Sequence, residues 1–425
     1  MEGIRPADNF LDAYNALSLD KELLEDKRKY DAYYVLRENS PIENLKAKIR
    51  MDKAYSKILY TGHRKSGKST ELYRLIHDIK DEYFIVFFSV FDELEVSDIK
   101  YVDLLLMTAL KLCSEAIKES VPFDEDSVVE LNKWLIQMSS EVTKSRVEEK
   151  SKGKGLVAKL KLLIVEIGAD FQTDFSSRVE IRERLEPRTT EVIEEINIIT
   201  EKIRQSVGKE PIVIIDDLDH VDPDLVWKIF YGYTKSLTRP DCKILFTVPI
   251  SLIYKREFAR IERDFPIREV LPLIKTRNED GSDNKEGLDC LKEIILRRVS
   301  EDLFEKTALN HLLGICNGVL VDLFSVARGC CAKAVASNSD KISWDMVDEE
   351  FEKLVNSFRR AIDKKYYPKL EEIKRNKKTD MDSETRDLLE ILAVVDYGGG
   401  YYYVHPAVEQ LLKNLSFEKK ALPKK

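Results

Sequence analysis

Tyr60-Thr61-Gly62-His63-Arg64-Lys65-Ser66-Gly67-Lys68-Ser69-Thr70 is the stretch on which the fold of this chain turns. Gly62 to Ser69 spell G-x-x-x-x-G-K-[ST], directly after the apolar run Ile58-Leu59-Tyr60 and before Leu72, Leu75, Ile76 and Ile79 at helical spacing. Strand, glycine loop and helix in that order read as a phosphate-binding P-loop. Its glycines let successive backbone N–H groups turn inward, Lys68 reaches the β and γ oxygens, and the Ser69 hydroxyl is offered to Mg²⁺. The cradle expected from this pattern runs through Gly62, His63, Arg64, Lys65, Ser66, Gly67, Lys68, Ser69 and Thr70.

Working outward, Tyr83 to Val90 is a continuous apolar run too short for a buried helix, and reads as a central strand of a parallel sheet. Ile212 to Ile215 is another such strand, and it closes on Asp216-Asp217-Leu218-Asp219. A carboxylate at the end of a buried strand beside a P-loop holds Mg²⁺ through water, the role expected of Asp216. Asp217 then stands where a second acid orients and deprotonates the attacking water. Asp222-Pro223-Asp224 has the form of a helix N-cap, a reading that explains Asp222 but not a pair of acids closing a β-branched run. Lys243 to Pro249 is a further buried strand in which Thr247 is either a sensor of the γ-phosphate or a residue chosen for β propensity. A helix carrying Arg256, Arg260 and Arg263 is expected next, then a short strand from Ile267 to Val270. Those arginines are either donors to a neighbouring subunit's site or solvated helix residues.

The organisation expected is an N-terminal arm over 1–55, a core over 56–275 with an insert at about 140–205, a helical lid over 285–375 and a last unit over 380–425. Ser40-Pro41-Ile42-Glu43 has the form of a capping box opening a helix. In the insert, Leu160, Leu162 and Ile164 alternate after a basic stretch, and predict a β-hairpin followed by one long charged helix over 177–207. The lid reads as four helices, 285–299, 305–315, 319–337 and 344–374, after the polar linker Asn278 to Asn284. A helix from Leu388 to Val395, three glycines, the aromatic strand Tyr401 to Val404 and a helix opening at His405-Pro406 predict a winged-helix-like unit.

The 425 residues carry a net charge of −8, which leaves only regional basic patches for contact with nucleic acid. No run approaches the eighteen or so apolar residues of a membrane helix, and the first residues lack the layout of a secretory signal, so a soluble, cytoplasmic protein without a membrane partner is expected. Cys113, Cys242, Cys290, Cys316, Cys330 and Cys331 form no CxxC pair, and read as reduced, buried, small apolar residues.

Strands separated by helices, with the P-loop after the first and the acids after the third, resemble the additional-strand class of P-loop ATPases. The helical lid and the last unit are similar to those of AAA+ and STAND ATPases, especially the branch near origin-recognition initiators. GHRKSGKSTEL, IIDDLD and YYYVHP together look like a group of bacterial P-loop ATPases. That resemblance implies a five-stranded parallel sheet in the order 5-1-4-3-2. It also implies ATP or ADP with Mg²⁺ as cofactors, Lys68 on the phosphates, Ser69 and Asp216 on the metal, Asp217 on the catalytic water and Thr247 as sensor. Two positions depart from it. Asp217 stands where many AAA+ members have Glu, and Val321 stands where the lid is expected to carry a basic residue.

A slowly hydrolysing nucleotide switch is the leading expectation, with self-association or a partner effector protein, in bacterial defence or signalling by resemblance. The first alternative is an initiator-like DNA-binding ATPase, resting on Lys144, Arg146, Lys150, Lys152, Lys154, Lys159 and Lys161, on Tyr401 to Tyr403, and on the tail Lys419, Lys420, Lys424 and Lys425. The second is a scaffold that keeps nucleotide bound for a partner protein.

Overall fold

The computed structural model describes residues 4–18, 26–52, 55–398 and 400–421, the side chains of 416–421 excepted. Gly399 and the basic tail of Lys419, Lys420, Lys424 and Lys425 therefore lie outside the described residues or side chains. The chain divides into two compact units, one of Glu43–Thr61 and Leu75–Glu269, the other of Met1–Ile42, Gly62–Arg74 and Val270–Lys425.

The first unit is built on a five-stranded sheet ordered β2-β3-β4-β1-β5, the order 5-1-4-3-2 read from its other edge, and the chain has the P-loop NTPase fold. The strands are β1 (Lys57–Gly62), β2 (Tyr83–Ser89), β3 (Glu210–Asp216), β4 (Lys243–Val248) and β5 (Ile267–Leu271). β2 pairs in parallel with β3, β3 with β4, and β4 with β1. β1 and β4 are buried along their whole length and β3 over all but its first residue, because helices cover both faces of the sheet. β2 is an edge strand rather than a central one, and both edges, β2 and β5, alternate in burial. Its unbroken apolar run does not reveal this, since helices covering a parallel sheet call for apolar residues at the edge as well.

The insert is built of helices, Glu141–Lys150, Leu156–Thr173, Phe175–Leu185 and Thr189–Val207. The hairpin expected around Leu160 to Val165 is part of a helix in which Leu160, Leu163, Ile167 and Phe171 are buried, a helical spacing. The alternation at 160, 162 and 164 is one short window of a run that is apolar at 163 and 165 too, where period alone does not separate strand from helix. The long helix over 177–207 is broken by a 3₁₀ turn at Glu186–Arg188, where Pro187 has no N–H to continue the ladder. It resumes as Thr189–Val207 and stops at Gly208, whose φ of 71° caps it. Buried Arg182 fastens the insert with two hydrogen bonds to Asp103, 2.9 and 2.5 Å, and two to Asp98, 2.6 and 3.4 Å. Arg256, Arg260 and Arg263 lie on two 3₁₀ turns instead of an α-helix. Phe258, Ile261 and Phe265 pin those turns to the core, and Pro266 holds Phe265 out of helical conformation.

The second unit carries the helices Lys285–Leu296, Lys306–Ile315 and Leu320–Ala336, close to their expected positions. The fourth expected helix is two, Trp344–Ala361 and Tyr367–Asn376, separated at Ile362-Asp363. The helix placed over Leu388 to Val395 ends at Glu390, and Val394–Asp396 is instead a strand, β6, antiparallel to β7 (Tyr402–Val404). Helix, hairpin and the helix Pro406–Ala421 follow one another, and Leu392, Val395, Tyr397 and Tyr403 of the hairpin region form a small apolar cluster with Leu273 and Val319.

Candidate functional site

β1 delivers the chain into the glycine loop, which turns with Lys65 at φ 63° and Gly67 at φ 91°. Left-handed backbone at these positions tips neighbouring N–H groups to one side, as in an anion-binding nest. A Cβ at position 67 would lie 2.4 Å from Arg37 Nη2, so Arg37 would have to shift, and 3.4 Å from Leu320 Cδ1. Lys68 is 5% exposed and its ammonium donates to the carbonyls of His63, at 2.7 Å, and Gly62, at 3.1 Å. Ser69 and Thr70 are half-buried in the first turn of the helix Lys68–Ile79.

A buried polar cluster holds the loop from the N-terminal arm. Arg37 Nη1 donates to the Ser66 carbonyl at 2.6 Å, while its Nε lies 3.8 Å from Glu71 Oε1. Glu71, wholly buried, also accepts from Ser40 Oγ at 2.5 Å and Tyr34 OH at 3.3 Å. Burial, and then the Glu71 charge, push the Tyr34 phenol up to about 12, so it stays a donor. The Ser40 hydroxyl accepts from the Ile42 N–H as a cap should, but Glu43 turns to Lys46 rather than completing a capping box. Nothing in the sequence marks Arg37 or Glu71 as partners.

The loop also touches the C-terminal part of its own unit. His63, 1% exposed, accepts at Nε2 from the backbone N–H of Asp396 at 2.7 Å. Burial, with Lys68 adding, pulls its imidazole down to about 3, so it is neutral and able to accept. Arg64 Nε lies 3.9 Å from Glu390 Oε2. Val321 is half-buried in the first turn of its helix, and it is the neighbouring Leu320 that approaches the loop. Beside Arg37 opens a cavity of about 510 Å³ walled by Val35, Leu36, Ile274 and Cys290, with Glu38 and Glu286 among its polar lining.

In the other unit, Asp216 and Asp217 stand at the carboxyl end of β3, 2% and 6% exposed. Asp216 Oδ1 accepts from the Asp217 N–H at 2.8 Å, and Asp217 is left-handed at φ 68°. Ser89, in register with Asp216 across the sheet, donates its Oγ to Asp217 Oδ2. A polar residue closing the apolar run of β2 was the available signal for Ser89. Thr247, on β4 in register with Tyr60, is wholly buried, and its hydroxyl has no hydrogen bond among the described residues. Because β1, β4 and β3 are parallel neighbours, Thr61, Thr247 and Asp216 occupy one carboxyl edge of the sheet. The hard oxygen donors there suit Mg²⁺, and Asp217, Asp219 and His220 bring ligand atoms within 4.8 Å of one another. Asp222 is the helix N-cap its sequence indicates, accepting from Asp224 and Leu225 at 2.9 and 3.0 Å.

Of the remaining candidates, Arg256, Arg260 and Arg263 are exposed, and Arg260 donates to Tyr231 OH at 2.6 Å. In the insert, Lys144 pairs with Glu141, Arg146 with Asp170 and Glu166, and Lys150 with Glu166, while Lys152, Lys154 and Lys161 are exposed and Lys159 half-buried. Tyr402 and Tyr403 are buried, and Lys377 and Lys378 lie over the rings of Tyr403 and Tyr401. Among the described residues no helix is long and apolar enough to cross a membrane. All six cysteines are free, five buried and Cys290 half-buried.

Residues 52–242 match the KAP family P-loop domain, which identifies a P-loop NTPase domain within the chain. No curated protein matches it. Among solved structures, the ORC2 protein of Aeropyrum pernix with ADPNP and ADP is 10% identical, covering 94% of this chain and 99% of its own at a TM-score of 0.42. CDC6P of Pyrobaculum aerophilum is 12% identical with the same coverages and a TM-score of 0.39. A Walker-type ATPase of Pyrococcus abyssi is 14% identical over 96% and 99%, at 0.43.

Proposed function

We propose that the chain is an ATP-binding, Mg²⁺-dependent and slowly hydrolysing ATPase that acts as a conformational switch. The observation that carries this reading is the loop itself. Its two left-handed positions and an ammonium held inside it form a receptor for phosphate oxygens. Lys68 and the loop N–H groups bind the β- and γ-phosphates, and Ser69 and Asp216 are the residues that would hold Mg²⁺. The metal, once bound, neutralises charge on the phosphoryl group being transferred. The cavity beside Arg37, whose lining combines apolar side chains with carboxylates, is the place proposed for the nucleobase.

Asp217 orients and accepts a proton from the attacking water, and Thr247 offers its unengaged hydroxyl to that water or to the γ-phosphate. Slow turnover follows from two features. Asp217 is already bonded by Ser89, and Val321 brings no charge to the lid where an arginine contributes roughly 10³–10⁵ in rate. Arg256, Arg260 and Arg263 are exposed, Arg260 on Tyr231, and are the candidates to serve a neighbouring copy. The DNA-binding alternative has less support, since three of the insert's basic residues are paired with acids and the hairpin tyrosines are buried or covered by lysines. A partner effector protein and a place in bacterial defence or signalling belong to the proposal and rest on resemblance alone, and a cytoplasmic location belongs to it on the sequence expectation given above.

The test is Lys68→Ala, with ATP and ADP binding followed by a fluorescent nucleotide and turnover by phosphate release. Loss of charge-assisted bonds to phosphate weakens binding about 10–100-fold, and turnover falls with it. Unchanged affinity and turnover would sink the assignment.

A further inference from the structure

We propose that the C-terminal hairpin reads the state of the phosphate loop through His63, so that nucleotide binding and hairpin docking strengthen each other. The inference rests on the nucleotide reading above and adds to it a coupled element. Three links within one unit carry it. His63 is a loop residue whose side chain spends its acceptor on the Asp396 N–H, in the first strand of the hairpin. Arg64, the next loop residue, faces Glu390 at the end of the helix leading into that strand. Tyr397, next to Asp396, donates to Asn317, whose Oδ1 lies at 2.5 Å and carbonyl at 3.0 Å, tying the hairpin to the segment before the helix whose Leu320 approaches Gly67.

The sign of the coupling follows from the loop's shape. Phosphate needs the nest formed by left-handed Lys65 and Gly67, and the hairpin needs His63 and Arg64 where that same turn places them. Whichever binds first bears the ordering of the loop for the other, and the two effects are equal by linkage. His63 stays a neutral acceptor through this, because burial holds its imidazole at about 3.

The test uses the full chain. ADP and ATP affinities are measured for wild type, His63→Leu and Glu390→Lys, with hydrogen exchange at the Asp396 amide followed with and without ADP. Loss of one hydrogen bond predicts about five-fold weaker nucleotide binding in His63→Leu. A similar loss in Glu390→Lys, which leaves the loop's own residues untouched, distinguishes coupling from local damage to the loop. ADP should slow exchange at Asp396 in wild type by about the same five-fold. Unchanged Asp396 exchange on ADP binding, or wild-type affinity in Glu390→Lys, overturns the coupling while the nucleotide reading stands. No nucleotide binding by the wild type overturns both.

Discussion

Arg37→Met tests the account of the loop most directly, because it removes a buried cation while keeping most of the side-chain volume. In the native chain the Arg37 side chain is 4% exposed, bonded to the Ser66 carbonyl at 2.6 Å and 3.8 Å from the fully buried Glu71. Breaking a buried ion pair from one side costs about 3–5 kcal/mol, because the remaining charge is left without its counterion. Glu71 keeps its bonds to Ser40 at 2.5 Å and Tyr34 at 3.3 Å, which places the cost at the low end, about 3 kcal/mol. The Ser66 carbonyl loses its charged donor as well, adding about 1 kcal/mol. Hydrogen exchange at the Glu71 amide, bonded to the Gly67 carbonyl at 3.1 Å, measures the opening of this segment even if the chain unfolds in several steps. We expect the opening free energy there to fall by about 3–4 kcal/mol, and Arg37→Met/Glu71→Gln to recover about half, since the stranded charge is then gone. A single variant within 1 kcal/mol of wild type, by about the spread of ordinary surface changes, or a double variant no better than the single, would refute the reasoning.

Thr247→Val replaces a fully buried hydroxyl that lacks a hydrogen bond among the described residues. Stability is expected to be unchanged or raised by about 1 kcal/mol, while ATP turnover falls at least about ten-fold; turnover at the wild-type level would return Thr247 to a purely structural role. Acid should weaken the chain through His63, whose imidazole is near 6.5 when unfolded and held at about 3 in the fold. Between those values the unfolded state binds the extra proton, so His63 contributes a loss of about 1.4 kcal/mol per pH unit as pH falls from about 6 to 4. Denaturation of wild type and His63→Leu over that range should differ by this slope, and parallel pH profiles would count against a buried neutral His63.

Local chemistry was legible and remote pairing was not. The glycine loop, Asp216 and the strands around them could be read because each depends on contiguous residues at a set spacing. The insert shows where such reading stops. Leu160 to Val165 fits strand and helix alike, and burial of Leu163, Ile167 and Phe171 against neighbouring helices decides for helix. Ser89 had a faint signal, the polar end of an apolar run. Arg37 had none, because its worth lies in a carbonyl and a carboxylate 29 and 34 residues away in a chain that does not announce their meeting.

By itself the sequence determined the glycine loop and the parallel sheet of a P-loop NTPase fold, and it marked Asp216 and Asp217 at the end of a buried strand, since these features depend on particular residue types at short, regular intervals. Only the tertiary structure decided what restrains that loop. The Arg37–Glu71 cluster beneath it and the Asp396 N–H on His63, 333 residues away, are contacts between groups whose neighbours in the chain give no hint of each other. Burial makes them matter, because a polar group removed from water must find its partner wherever the fold brings one.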